Sequence, residues 1–386
     1  MKIRTAALLV TSAALVACVE PAKTPKPEPA PLDTAPPATT EPAPVTTQPP
    51  PAAAAPKSGT RMTVAEKKVD DSWDKMLVAG GRLYVLTEVN KWTTGPMYVP
   101  AARLWSVPIT GGELTRHFDL EGLATLAADD SSLYVAVNRD LSTMNTSRAK
   151  APTGRIFRMP LAGGAPVDLA TGISPTNIAV DGDTVWFDAF RMPKDGSKPP
   201  ASSGIKGAIA FAFDTDDVYF TTGKASAQPA KPDGKNGRVL RMPKAGGAPV
   251  VVATGLPDEP SAVAVDGSHV YVAAVTWGSE ANEKAGVVAR VAKEGGPLEV
   301  LAADVPMPRA AWLAGDHVFV RSGRPGRPGS ILRIGKSGGA VEPVATDGTL
   351  AHATVDETSI YFSSDGTFQK EPFKRLTPAV VVRLVR

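Results

Sequence analysis

The sequence predicts an all-β chain folded as a β-propeller, with seven blades of four-stranded antiparallel sheet. Three observations carry this reading. An apolar–aromatic–apolar triplet recurs seven times, paired glycines follow most triplets, and glycine or proline punctuates most of the chain at intervals too short for ordinary helices.

The triplets are Leu83-Tyr84-Val85, Leu133-Tyr134-Val135, Val185-Trp186-Phe187, Val218-Tyr219-Phe220, Val270-Tyr271-Val272, Val318-Phe319-Val320 and Ile360-Tyr361-Phe362. They stand roughly 33 to 52 residues apart, mostly the spacing of propeller blades. An Asp/Gly turn and another apolar strand precede them, as Pro175–Phe187 and Pro260–Val272 show in parallel. A triplet without polar alternation predicts a strand buried on both faces, with its aromatic packed between blades. A second hairpin follows. Gly154-Arg-Ile-Phe-Arg-Met-Pro160 leads to Gly163-Gly164, and Gly237-Arg-Val-Leu-Arg-Met-Pro243 leads to Gly246-Gly247. Weaker copies turn at Gly111-Gly112, Gly295-Gly296 and Gly338-Gly339. Paired glycines supply the positive φ of tight turns, so each unit reads as strands A to D of one blade.

Two irregularities bear on the count and the closure. After Phe187 a C-like segment, Arg191–Gly196, follows with no long loop, so blade three could lack a strand and six blades remain possible. The chain ends on an apolar run, Val380–Val385, with no D strand after it. The segment 61–69 is predicted to supply that strand, pairing with the last blade and removing an open edge. The Pro-x-x-Ile/Val-Ala-Val-Asp-Gly pattern is similar to that of NHL-type and virginiamycin B lyase-like propellers over most of residues 60–386. The resemblance implies the architecture. Virginiamycin B lyase-like enzymes use a histidine-and-acid site with magnesium, and no matching motif places those residues here.

The N-terminus reads as an export signal. Lys2 and Arg4 precede a short apolar stretch, Thr5–Ala14, ending in Leu15-Val16-Ala17-Cys18. This resembles the lipobox of bacterial lipoproteins, which implies cleavage before Cys18, a lipid on its thiol and a membrane anchor. Val19 follows instead of the aspartate associated with inner-membrane retention, so the resemblance implies the outer membrane. The expected organisation is a signal peptide at 1–17, a lipid-anchored linker at 18–59 and a propeller at 60–386. Glu20–Lys57 is about one-third proline, which excludes a core and favours extended polyproline II. At ~3.1 Å per residue it could reach on the order of 100 Å.

Composition narrows the function classes. The formal charge is +3, and about +1 without the signal, too balanced for nucleic acid. One cysteine excludes an internal disulfide and any multi-cysteine metal site. Glycine-rich phosphate loops, Gly-x-Ser-x-Gly and His-Glu-x-x-His are absent. Of the four histidines, His117, His269, His317 and His352, the pair His269 and His317 occupy equivalent A–B turns and read as turn residues. Asp181-Gly182-Asp183 and Asp214–Asp217 admit calcium ligation or, more simply, aspartates capping their own turns.

The A–B and C–D turns share one face, and the B–C and D–A connections share the other. The expected B–C loops are 86–102, 137–153, 188–204, 221–236, 273–285, 321–329 and 363–378. Their excess of basic residues is about +8, from Arg139, Arg148, Lys150, Lys231, Lys235, Arg321, Arg324 and Arg327 among others. The expectation is a monomeric, membrane-anchored binding or scaffolding module without cofactor. Its partner would be a protein or anionic envelope polymer, captured on the long-loop face. The alternative is a propeller enzyme of lyase or lactonase type with a metal in the central channel.

Overall fold

The computed structural model describes residues 59–67, 72–92, 98–139, 153–223, 235–275, 286–323, 329–346, 350–364, 368–369, 374–375 and 379–385. Seven antiparallel four-stranded sheets follow one another along the chain. Blade one comprises Ser72–Ala79, Arg82–Trp92, Tyr98–Pro108 and Thr115–Glu121. Blade two comprises Leu123–Ala128, Ser132–Asn138, Gly154–Pro160 and Val167–Ile173. Blade three is Ala179–Asp181, Thr184–Phe187, Phe190–Pro193 and Ala201–Ser202; blade four is Ala208–Phe213, Asp217–Thr222, Gly237–Pro243 and Val250–Leu256. Blade five is Glu259–Val265, His269–Val275, Gly286–Ala292 and Glu299–Val305. Blade six is Pro308–Ala314, His317–Ser322, Ser330–Gly335 and Glu342–Ala345. Blade seven takes Leu350–Val355, Ser359–Ser364 and Ala379–Val385 from the C-terminus and Arg61–Lys67 from the N-terminal side.

The triplets explain the ring. Side chains alternate along a strand, so the central residue faces one neighbouring blade and its two flanks face the other. Tyr84 of blade one shares a core cluster with Leu133 and Val135 of blade two. Tyr134 joins Val185 and Phe187, Trp186 joins Val218 and Phe220, and Tyr219 joins Val270 and Val272. Tyr271 joins Val318 and Val320, and Phe319 joins Ile360 and Phe362. Tyr361 then meets Leu83 and Val85 of blade one, which closes the circle. Each central aromatic is at most 5% exposed.

Closure is made by pairing Arg61–Lys67 antiparallel to Ala379–Val385, as the sequence predicted, with Val64 and Ala65 buried against blade one. Blade three keeps all four strands, so the count is seven. Its B and C strands are joined through Asp188-Ala189 alone, and the expected long B–C loop at 188–204 is corrected: that span holds the C strand Phe190–Pro193 and the D strand Ala201–Ser202. Asp188, at φ 45°, makes that tight turn possible by accepting hydrogen bonds from the Thr176 N–H at 3.0 Å and the Asn177 N–H at 3.1 Å. The expected loop 86–102 also shortens, since its hairpin pairs out to Trp92 and Tyr98. The glycine that opens the C-strand motif is required by close approach. A Cβ on Gly154 would lie 2.4 Å from the carbonyl oxygens of Val137 and Ile173.

On the short-turn face a second repeated interaction locks blade to blade. In blades two, four, five and seven the A–B turn aspartate (Asp129, Asp214, Asp266, Asp356) accepts two backbone N–H groups through one oxygen. Its other oxygen accepts the hydroxyl of the triplet tyrosine of the same blade, at 2.8–3.1 Å. The next blade's C–D turn then brings a lysine. Lys194 reaches Asp129, Lys293 reaches Asp214 at 2.7 Å and Lys336 reaches Asp266 at 2.9 Å. In blade three, where Trp186 has no hydroxyl, Asp181 still pairs with Lys244. Blade one has Gly80 in this turn, and the facing position in blade two is Leu161, packed 3.1 Å from where a Gly80 Cβ would sit. Asp214 therefore caps its own turn and pairs with the next blade, the simpler of the two readings of its cluster, while Asp181 is an inter-blade partner.

The latch shifts its acids and tyrosines in opposite directions. Burial raises Asp214, but Lys293, two backbone N–H groups and Tyr219 outweigh it and hold the carboxyl at about 2. Asp129 and Asp266 lie well below the usual carboxylate range by the same balance. Burial and the facing carboxylate push Tyr134, Tyr219, Tyr271 and Tyr361 up to about 12.

Two predictions follow from these contacts. Val64→Asp places an unpaired charge in the closing strand and lowers unfolding free energy by ~3 kcal/mol or more. Met62→Lys on the exposed side of that strand changes it by less than about 0.5 kcal/mol in urea titration. A carboxylate depressed below its unfolded value contributes stability above ~3.9 and loses it as pH falls through the folded value. Asp214→Asn is thus less stable than wild type by about 1–2 kcal/mol at pH 7. Denaturation at stepped pH should show that gap narrowing between about pH 4 and about 2.

Candidate binding site at the channel mouth

Strand A is innermost in each blade, and these strands pack side to side around a central channel. Thr221 Oγ1 donates to the Pro260 carbonyl at 2.8 Å and Ser261 Oγ to the Pro308 carbonyl at 2.6 Å, linking blades four to six. Every residue of Ala208–Phe213 and all but the first of Pro308–Ala314 is half-buried. Each A strand starts at the long-loop face and each B strand ends there. The first residues of A and the last of B therefore surround the channel mouth.

The predicted basic face divides into three. Arg148, Lys150, Lys231, Arg324 and Arg327 lie outside the described residues, as does Cys18. Arg139 and Lys235 are exposed at the rim; Arg139 pairs with Glu121 of blade one. Arg321 corrects the expectation that loop 321–329 begins there. It is paired in strand B of blade six, opposite Ala310 and Ile331, and is 5% exposed. The position after the triplet explains its burial. Leu86, Ala136, Thr221, Ala273 and Ser363 occupy it in other blades, each with 0% exposure. Aligning the repeats in this register would have singled out Arg321 as a charge in a core position.

Around Arg321 runs a polar belt from blade five to blade two. Arg309 Nη1 donates to Glu259 Oε1 at 2.7 Å. Burial and the charge of Arg309 pull the Arg321 guanidinium down to about 10, still cationic at neutral pH. His352, third residue of strand A in blade seven, follows. Burial, then the charges of Arg321 and Lys75, press its pKa down to about 3 against a hydrogen bond to the Trp73 backbone. It is neutral at pH 7, and its backbone N–H donates to Ser363 Oγ at 3.1 Å. Lys75 of blade one donates to Thr125 Oγ1 of blade two at 3.1 Å. Neither His352 nor Arg309 was marked as a site residue by the sequence, because both stand at variable positions of the strand A pattern.

The backbone behind Arg321 is strained and tied. Asp304, near the end of strand D of blade five, and Met307, in the crossover to blade six, take φ of 54° and 43° on either side of Pro306. Such residues persist where surrounding contacts over-determine them. Here the Gly323 N–H donates to the carbonyls of Pro306 and Met307 at 3.1 and 3.2 Å, and the Ser322 hydroxyl also donates to Pro306. The end of strand B, and with it Arg321, is fixed in place. Nearby, Asn236 Nδ2 donates to buried Asp258 Oδ1 at 2.6 Å, so that acid is occupied within its own blade junction. Among the described residues, no three histidine, cysteine, aspartate or glutamate side chains converge as a metal site.

Neither a protein-family model nor a curated protein matches the sequence. Solved structures match the fold. The β-propeller domain of the Trilobed protease from Pyrococcus furiosus, described as having an open velcro topology, superposes at a TM-score of 0.52 with 8% identity. The match covers 81% of this chain and 95% of that one. A puromycin-hydrolyzing peptidase from Mycobacterium tuberculosis gives 0.53 at 13% identity, covering 84% of this chain and 54% of its own. The acylaminoacyl peptidase of Pyrococcus horikoshii gives 0.53 at 8% identity, covering 81% and 50%. This chain thus spans about half the length of either peptidase. At these identities the likeness establishes the propeller.

Proposed function

We propose that the protein is a lipid-anchored envelope lipoprotein, attached at Cys18 to the outer membrane. Its propeller is a non-enzymatic binding module that engages an acidic protein or anionic envelope polymer through the long-loop face. One observation supports the choice of face. On the short-turn side the recurring charged side chains are bound into latches between blades, as Lys194, Lys244, Lys293 and Lys336 illustrate. At the long-loop mouth Arg321 keeps its charge without such a counterion. A rigid ring with one face closed on itself presents the other to a partner. The proline-rich stretch 20–57 suits a spacer between anchor and ring.

The anchor and the capture are tested separately. Palmitate labelling and membrane fractionation should show label on the wild type and none on Cys18→Ser, with the variant released from the membrane fraction. For capture, crosslinking of the lipidated protein in its own envelope is compared with a variant carrying Lys235→Glu, Arg324→Glu and Arg327→Glu. Loss of crosslinked partners, with the melting temperature unchanged, supports the basic face; an identical crosslinking pattern removes it.

A further inference from the structure

We propose that the Nε/Nη2 edge of Arg321 seats a carboxylate, carried by a ligand that enters the channel from the long-loop face. The inference deepens the binding reading above by naming the ligand chemistry at that face, and it needs neither the anchor nor the outer loops.

The geometry starts from two orphaned atoms. Nε and Nη2 of Arg321 are buried and have no hydrogen-bond partner among the described residues. These two nitrogens form the side-on edge of the guanidinium, whose parallel N–H bonds match the two oxygens of a carboxylate. Leaving buried charged donors unpaired is costly, more so than an ordinary unmade hydrogen bond. The nearest charge makes this worse, since Arg309 is also cationic and its carboxylate, Glu259, is already held at 2.7 Å. Five other blades place Leu, Ala, Thr or Ser at the same position, so the fold itself does not require arginine there. The strained backbone at Asp304–Met307 holds the strand end that presents it.

The donor set favours a carboxylate over a phosphate. A tetrahedral phosphate is best held by donors from several directions, whereas this site offers one planar fork. Arg309 is engaged by Glu259, Lys75 already donates to Thr125, and the neutral His352 adds no charge. The chain end of a peptide and an acidic sugar unit share the required chemistry, and the test separates them.

The full chain, in detergent, is melted in increasing N-acetyl-dialanine, its carboxamide, galacturonate and inorganic phosphate at constant ionic strength. The expected result is a saturable rise in melting temperature with a carboxylate and none with the carboxamide. Response to the dipeptide alone identifies a peptide chain end, and response to galacturonate alone identifies an acidic sugar. Arg321→Met should melt no lower than wild type without ligand, because it removes an unpaired buried cation of similar volume, and should lose the rise. Arg321→Lys keeps the charge without the fork and should bind at least tenfold more weakly. The proposal is overturned if no acid gives a saturable rise in the wild type, if phosphate alone does, or if Arg321→Lys binds as tightly as wild type. A ligand-free Arg321→Met that fails to fold would also overturn it, by making the arginine structural. Crosslinking lost through Lys235, Arg324 and Arg327 with this response intact, or the reverse, shows which of the two readings has failed.

Discussion

The constraint on which this molecule depends is the two-sided burial of strand B. A strand with only apolar residues at its centre must be covered on both faces, and a radial sheet meets that need from its two neighbours. The division is consistent around the ring: the central aromatic turns to the following blade, and its flanks turn to the preceding one. Each junction therefore relies on residues from both blades, and no blade can bury its own triplet alone. With one cysteine in the chain, no internal disulfide holds the ring, and closure falls to Arg61–Lys67. Supplying the last strand from the N-terminal side makes the two ends of the domain depend on each other.

Polar groups reinforce the same geometry with a repeated latch on the short-turn side. The aspartate latch works because a tight turn leaves backbone N–H groups exposed and a carboxylate can accept them while also reaching the tyrosine hydroxyl. The lysine from the next blade turns a local cap into an inter-blade contact. C-strand arginines add to it: Arg290 donates to the backbone carbonyl of Lys336 at 2.8 Å, and Arg158 to that of Lys194 at 3.4 Å. Where Ala79 stands at the aspartate's position, Leu161 stands at the lysine's, and both pack on the same core cluster, so charge and partner are exchanged together. On the opposite side the loops vary, and the buried charge of Arg321 stands apart from this pattern.

Much of the fold was legible before any coordinates. Strand period, the triplets and the glycine pairs marked the blades, and the C-terminal Val380–Val385 run announced a missing partner. Blade three was harder, because Asp188-Ala189 compresses a connection that is long elsewhere; local spacing cannot show that a non-glycine residue accepts φ of 45°. Arg321 was legible as a basic residue of the right face and misread as a loop residue. A charged side chain ordinarily ends a buried strand, and only the pairing with Ala310 and Ile331 shows that this strand continues. Arg309 and His352 left no trace, since strand A carries no motif at those positions.

The sequence by itself determined the class of fold, the number of repeated units to within one, and the identity of the closing strand. Those follow from local periodicity and turn chemistry, which short segments encode within themselves. Tertiary structure alone decided which blade each aromatic faces, which lysine meets which aspartate, and that Arg321 lies buried beside Arg309 and His352. These are relations between residues far apart in the chain, set by the rotation from one sheet to the next, and no window of sequence contains that rotation.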